Sequence, residues 1–151
     1  MLILGIDDAG RGPVIGPMVL AGVLIDEKIE KEFVKLGVRD SKMILPHKRT
    51  KLAEEIKLRA LGIHKVIIPV YEIDGKDNDN LNLNQREAVA SSIIINKLNK
   101  GKEKIKVIID CPSNNIKTWR EYVEKFLIGK ANINLVCEHK ADINHIVVSA
   151  A

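Results

Sequence analysis

The chain has 151 residues, which fits one domain, and with 46% hydrophobic and 29% charged residues it is not a disordered polypeptide. No apolar run approaches the roughly 20 residues of a membrane span, so we expect no membrane association. The net charge of +4 permits an anionic partner without requiring one. Two cysteines cannot form a disulfide framework and no signal sequence opens the chain, so we expect a reducing, cytoplasmic location.

The first part of the chain predicts a hairpin and a helix. Residues 2–7 form an apolar run that ends in acid, which is typical of a buried strand. A turn rich in Gly and Pro separates this run from a second apolar run at residues 18–25, and a hairpin is the simplest connection between them. Pro46 stands where a helix can begin, and apolar residues near helical spacing predict a basic amphipathic helix over residues 48–61.

The rest of the chain alternates between the two kinds of element. Apolar runs predict strands and helical spacing predicts helices, in the order strand 63–70, helix 82–98, strand 105–110, helix 116–128 and strand 133–136. The predicted order of the whole chain is β, β, helix, helix, β, helix, β, helix, β, which places one further helix between the second strand and the strand at 63–70. Such alternation predicts a three-layer α/β fold with a mixed, mainly parallel sheet and an N-terminal antiparallel hairpin.

Acidic residues stand at the ends of two predicted strands. Asp7 closes the first strand and Asp110 closes a later one, and parallel neighbours would bring both carboxylates to the edge where open α/β sheets bind ligands. Asp8 and Asp142 are the natural additions to this group. Clustered carboxylates repel one another and generally persist because a hard divalent cation occupies them. Any one of these residues can equally be a turn residue or a helix N-cap, but Asp7 and Asp110 together favour a metal site.

A loop rich in glycine follows the acidic pair. In Gly10, Arg11 and Gly12, the glycines let backbone N–H groups approach a phosphate, and the guanidinium offers a fork of donors. A glycine-rich turn between strands is structural more often than not. Its position directly after Asp7 and Asp8 favours a functional interpretation.

The stretch from Gly5 to Pro17, Gly-Ile-Asp-Asp-Ala-Gly-Arg-Gly-Pro-Val-Ile-Gly-Pro, resembles the opening signature of type 2 ribonuclease H, a family that cuts RNA joined to or paired with DNA. Further blocks of the family follow in the same order, namely Asp40-Ser41-Lys42, Asn80-Leu81-Asn82, Ile109-Asp110, Lys140-Ala141-Asp142 and Val147-Val148-Ser149-Ala150-Ala151. The resemblance is closest to the archaeal members and covers essentially the whole chain.

The resemblance implies an RNase H-like catalytic domain over residues 1–151 with four acids that are both catalytic and metal-binding, at Asp7, Asp8, Asp110 and Asp142. It implies that Gly10, Arg11 and Gly12 grip the nucleic acid beside the ribonucleotide. The implied activity is hydrolysis of the RNA strand of RNA/DNA hybrids and cleavage at ribonucleotides embedded in duplex DNA, leaving 5′-phosphate and 3′-hydroxyl ends. We expect two Mg²⁺ or Mn²⁺ ions, no protein nucleophile, and a monomer whose partner is the hybrid or the ribonucleotide-containing DNA duplex.

Other polar residues are candidates for contacts with the substrate. Lys42 lies inside the Asp-Ser-Lys block and is expected to contact the duplex backbone, and Lys140, two residues before Asp142, is expected to help position a phosphate. Asn80 and Asn82 either contact the strand opposite the cut or cap the following helix, and both interpretations stay open.

Three features depart from the family pattern. Asp8 stands where the family has Glu, and we expect its shorter side chain to weaken one metal position or to require a backbone shift. His145-Ile146 stands where the family usually has Tyr-Pro. Family chains continue past Ala151 into helices that carry a tyrosine stacking on the sugar at the RNA–DNA junction. We therefore expect a domain truncated at its C terminus relative to the family, with reduced selectivity for the junction.

Two alternatives remain beside the nuclease interpretation. The stronger is an inactive or weakly active hybrid-binding module of the same fold, because of Asp8 and the missing C-terminal segment. A phosphoacceptor receiver domain also places acids after its strands. However, about a hundred residues separate Asp8 from Asp110, too many for the few βα units that such a domain would use there.

Overall fold

The computed structural model describes residues 1–9, 18–38, 44–69, 82–101, 103–141, 145 and 148. Within these residues the strands are β1 (Leu2–Ala9), β2 (Met18–Asp26), β3 (Gly62–Ile68), β4 (Ile105–Asp110) and β5 (Ile133–Glu138). The helices are α1 (Glu30–Leu36), α2 (Pro46–Arg59), α3 (Leu83–Leu98) and α4 (Ile116–Lys125), with 3₁₀ turns at Glu27–Ile29 and Lys130–Asn132. This order of elements confirms the order predicted from the sequence.

The strands form one sheet in the order β3-β2-β1-β4-β5. Strand β2 pairs antiparallel with both β1 and β3, whereas β4 pairs parallel with both β1 and β5. Of the described strands, β2 alone therefore runs against the others. The prediction of a mixed, mainly parallel sheet with an N-terminal antiparallel hairpin is confirmed, and β1 occupies the centre of the sheet.

Helices cover both faces of this sheet. Side chains alternate between the two faces along each buried strand, so a single strand contributes apolar residues to both layers of helices. Leu4 and Ile6 of β1 point to the face that packs against α3 and α4. Ile3 of β1 and Ile25 of β2 point to the other face, where they join Phe33 of α1 in a second buried cluster. The three-layer prediction is confirmed. Among the described helices, none has the length and apolar content to cross a membrane.

Helix α3 approaches the sheet closely over Gly22 of β2. A Cβ atom built on Gly22 would lie 2.3 Å from Cγ2 of Ile94, so only glycine permits this contact. Gly22 pairs with Ile6 in the β1–β2 register, and Asp8 lies two residues farther along β1 on the same face. The close approach thus brings the residues of α3 that precede Ile94 over the acidic end of β1.

Strand β1 is longer than predicted. The prediction that Asp7 closes the strand is wrong, because pairing with β2 continues through Asp7, Asp8 and Ala9, which lie opposite Ala21, Leu20 and Val19. Both acids therefore stand on regular strand backbone.

Two predicted helix ends also need correction. Helix α2 ends at Arg59 rather than at residue 61, and α4 ends at Lys125 rather than at residue 128. The physical reason in α4 is a side-chain clamp from α3. The Asn96 amide donates to the Phe126 carbonyl oxygen at 3.0 Å, and its oxygen accepts from the Ile128 N–H at 2.9 Å. The second bond takes up the Ile128 N–H, which a helix continuing to residue 128 would use.

Candidate metal centre

Three carboxylates meet at the carboxyl ends of the adjacent strands β1 and β4. In the parallel register of β1 and β4, Ile6 lies opposite Ile109 in the last pair of the two strands. Asp7 and Asp110 are the next residues, so they occupy neighbouring positions on adjacent strands. Asp7, Asp8 and Asp110 each place one carboxylate oxygen within 4.8 Å of the corresponding oxygens of the other two. All three residues are half-buried. The predicted convergence of Asp7 and Asp110 is present, and Asp8 joins them.

Backbone N–H groups orient two of these carboxylates. The N–H of Asp8 donates to Oδ1 of Asp7 at 2.9 Å, and the N–H of Ala141 donates to Oδ1 of Asp110 at 3.2 Å. Ala141 reaches this position after a turn in which Lys140 has φ 56°, in the left-handed region that non-glycine residues rarely adopt. The chain after β5 is thus turned back against the end of β4.

Helix α3 contributes two polar residues that sequence reasoning missed as site residues. Glu87 and Ser91 are 2% and 0% exposed, and both line a small cavity together with the three aspartates. They lie four residues apart and so share one face of α3. The sequence contains only a weak signal for these two residues. Ser91 lies on a helix face that helical spacing predicts to be buried, whereas a glutamate such as Glu87 is typically exposed to solvent.

Two core residues lie near the cluster, namely Trp119, which lines the same cavity, and Cys111, which follows Asp110 in the chain. Burial raises the pKa of the Cys111 thiol, and the negative charges of Asp110 and Glu87 raise that pKa further. Trp119 is 4% exposed, and its Nε1–H donates to the carbonyl oxygen of Asn84 at 2.8 Å, which ties α4 to α3. Both side chains pack in the core, as expected for a small buried thiol and for an aromatic residue on a packed helix.

Several of the predicted site residues lie outside the described part of the chain, namely Asp142, Gly10, Arg11, Gly12, Lys42 and Asn80. Asn82 is described and caps α3. Its side chain accepts from the Gln85 N–H at 2.8 Å, while the Gln85 side chain accepts from the Asn82 N–H at 3.0 Å. The capping interpretation of Asn82 is therefore confirmed. Lys140 is exposed.

Two histidines lie near the end of β5. Nε2 of His139 is 2.6 Å from the carbonyl oxygen of Ser113, which can only accept, so this ring nitrogen donates. Nε2 of His145 contacts Oε1 of Glu138, and the backbone N–H of His145 donates to the carbonyl oxygen of Ala141. These contacts tie His139 to the segment that follows β4 and His145 to the end of β5.

The donor set of the cluster fits a hard divalent cation. Carboxylate oxygens are the ligands that Mg²⁺ and Mn²⁺ prefer, and half-buried ligands leave room for water or phosphate oxygens. Three carboxylates this close also repel one another unless positive charge is present. Asp7, Asp8 and Asp110 can therefore hold a metal ion at the end of the central strands.

The fold and the acidic edge together define an RNase H-like domain. The solved structure of ribonuclease H2 from Pyrococcus horikoshii superposes with a TM-score of 0.84 at 31% sequence identity, covering 100% of this chain and 68% of that one. The alignment therefore spans every described element of the sheet and its helices.

Sequence comparison gives the particular family. The profile of the ribonuclease HII family matches residues 4–151. The ribonuclease HII of Methanobrevibacter smithii is 38% identical over 151 residues, and that of Methanococcus maripaludis is 41% identical over 150 residues. These alignments cover 100% and 99% of this chain and 69% and 62% of those proteins. The chain belongs to the ribonuclease HII family and spans roughly two thirds of the length of these curated relatives.

Proposed function

We propose that this domain is an endonuclease that hydrolyses the RNA strand of RNA/DNA hybrids and cuts at ribonucleotides embedded in duplex DNA. The observation that carries the proposal is the meeting of the Asp7, Asp8 and Asp110 carboxylates within 4.8 Å at the end of the central strands. Membership of the ribonuclease HII family supports the choice of substrate.

The ligands of the proposed metal site are Asp7, Asp8, Asp110 and Asp142. Support for Asp142 comes from its neighbour in the sequence, because the Ala141 N–H donates to the Asp110 carboxylate. Bound Mg²⁺ or Mn²⁺, as a pair of ions, would supply an activated water and stabilise the leaving oxygen of an in-line displacement at phosphorus.

The residues of the chain have the task of holding ligand oxygens in place. The N–H groups of Asp8 and Ala141 fix the orientations of the Asp7 and Asp110 carboxylates, so these oxygens need little reorganisation when the substrate arrives. The buried β1–β4 pairing keeps the two aspartates on adjacent strands. If a water attacks the phosphorus in line with the 3′-oxygen, a new P–O bond forms as the P–O3′ bond breaks, which would leave 5′-phosphate and 3′-hydroxyl ends without a protein nucleophile.

Contacts with the nucleic acid complete the proposal. Gly10, Arg11 and Gly12 are assigned to the strand that contains the ribonucleotide, where the 2′-hydroxyl distinguishes RNA from DNA. Lys42 and Lys140 are assigned to phosphates, and Asn80 to the opposite strand. The exposed position of Lys140, next to the residue that binds Asp110, supports its assignment.

The test is a cleavage assay on two substrates, an RNA/DNA hybrid and a DNA duplex with a single ribonucleotide, each with Mg²⁺, Mn²⁺ or a chelator. Wild-type protein should cut in a metal-dependent manner, and Asp7→Asn should abolish the cutting because it removes a charged ligand. Asp26→Asn is the matched control. Asp26 lies at the opposite end of the sheet and accepts from the Lys28 N–H, a bond that the Asn oxygen can also accept.

The outcomes separate the alternatives. Metal-dependent cutting that Asp7→Asn removes and Asp26→Asn retains supports the nuclease. Cutting of the hybrid alone limits the substrate to hybrids. Binding of both duplexes without cutting contradicts the enzymatic proposal and leaves a hybrid-binding module. Asp8→Glu adds one methylene, and tighter metal binding by this variant would identify the short side chain as the weak point of the site.

A further inference from the structure

Ser91 has a buried hydroxyl group that the described protein atoms do not satisfy. The side chain is 0% exposed, and its Oγ has no hydrogen-bond partner within the described part of the chain. A buried hydroxyl normally finds a partner, either in the protein or in an ordered water, because leaving it unpaired is unfavourable. Ser92, the next residue on α3, satisfies this rule, since its Oγ donates to the carbonyl oxygen of Val89 at 2.6 Å.

The cavity beside Ser91 has the size and the lining for a single water molecule. Its volume is about 10 Å³, the room of roughly one water-sized sphere. Ser91 and Glu87 of α3 line it together with the three aspartates. Asp8 shares the face of β1 that α3 covers, because it follows Leu4 and Ile6 at two-residue spacing along the strand.

The hydrogen-bond donors and acceptors of these groups match the hydrogen bonds that one water molecule can make. The Ser91 hydroxyl can donate one hydrogen bond to the oxygen of a water. Carboxylates only accept when ionised, so the two hydrogens of that water can go to Asp8 and Glu87. Three polar partners is the usual number for a buried water.

We infer that one ordered water lies between α3 and the acidic cluster, bound by Ser91, Glu87 and Asp8, and that Ser91 is a positioning residue for the Asp8 carboxylate. The second part rests on the proposed metal-binding role of Asp8, whereas the first part does not. The water joins the second acid of the cluster to the rigid helix behind it.

The first measurement is a crystal structure of the full chain at a resolution that reveals ordered water, for the wild type, Ser91→Ala and Ser92→Ala. We expect a solvent peak about 2.7–2.8 Å from Ser91 Oγ and within hydrogen-bond distance of Asp8. The peak should persist in Ser92→Ala and be lost or displaced in Ser91→Ala. A wild type without this peak, including one in which Ser91 bonds directly to a protein group, overturns the inferred water.

The second measurement is the affinity for Mn²⁺ alone by titration calorimetry, without nucleic acid. Ser91→Ala should weaken binding by about tenfold, the lower end of the effect of outer hydrogen-bond partners on metal sites. Ser92→Ala carries the same substitution on the same helix and should leave the affinity unchanged. Equal affinities for Ser91→Ala and wild type, or no Mn²⁺ binding by the wild type, would contradict the positioning role.

These measurements stay separate from the cleavage assay. A wild type that binds Mn²⁺ and shows the water but does not cut would refute the proposed function and leave the role of Ser91 standing. A wild type that cuts while Ser91→Ala binds Mn²⁺ normally would refute the positioning role of Ser91 and leave the proposed function standing.

Discussion

The close contact between β2 and α3 predicts that Gly22→Ala destabilises the protein. The new Cβ would lie 2.3 Å from Cγ2 of Ile94 and 3.4 Å from Cδ1 of Leu4. Carbon atoms in favourable contact lie about 3.5–4.0 Å apart, so β2 and α3 must separate by about an ångström or Ile94 must leave its rotamer. Gly22 has no left-handed φ, so the effect comes from overpacking rather than from backbone strain.

Overpacking of this kind typically costs 1–3 kcal/mol, and we expect about 2 kcal/mol here. In a domain of this size, that loss lowers the melting temperature by about 4–8 °C. The assay is thermal and urea unfolding followed by circular dichroism. Gly62→Ala is the matched control, because its Cβ would lie 2.9 Å from Leu98 Cδ2, the mobile end of a side chain that can move aside.

A double-mutant cycle tests the cause. Ile94→Ala removes Cγ2, so the added methyl of Gly22→Ala should be much less destabilising in that background, with a coupling of about 1 kcal/mol or more. Additive effects, or a loss for Gly22→Ala no larger than that for Gly62→Ala, would refute the argument that glycine is needed for the approach of α3.

Two further predictions concern the helix cap and the thiols. Asn82→Ala should lower stability by about 1 kcal/mol through loss of the reciprocal bonds with Gln85, whereas Asn82→Ser should retain most of it. Equal unfolding midpoints for the two variants would contradict the capping role. Burial raises the pKa of Cys137 from 9.0 to about 12, so at pH 9 in the Cys111→Ala variant, iodoacetamide should modify native Cys137 far more slowly than the unfolded thiol. Because folding raises this pKa, the thiol's contribution to the free energy of unfolding is intact below pH 9 and is lost as the pH rises towards 12. Comparison with Cys137→Ala from pH 8 to 11 isolates this effect, and parallel profiles would contradict it.

Much of the fold could be predicted because its signals are local. Apolar runs and helical spacing depend on a few neighbouring residues, and they correctly indicated the order of elements and the antiparallel hairpin. Asp110 follows an apolar run whose parallel pairing with β1 is the usual arrangement for alternating strands and helices. The proximity of Asp7 and Asp110 could therefore be predicted from the sequence.

Element ends were less accessible, because distant groups decide them. Pairing with β2 extends β1 through Asp7 and Asp8, and no local signal at these acids indicates that they continue a strand. The end of α4 depends on Asn96, which lies 30 residues from Phe126 in the sequence and satisfies its carbonyl group. Both corrections arise from hydrogen bonds between segments that are far apart in the chain.

The sequence by itself determined the α/β class of this protein and the acidic edge of its sheet, because periodic burial and acids at strand ends can be recognised from neighbouring residues. Only the tertiary structure decided that Glu87 and Ser91 stand behind that edge. The place where a helix crosses the sheet decides which polar residues of its buried face lie next to a site. In this protein the contact between Gly22 and Ile94, which lie 72 positions apart in the printed sequence, sets that position.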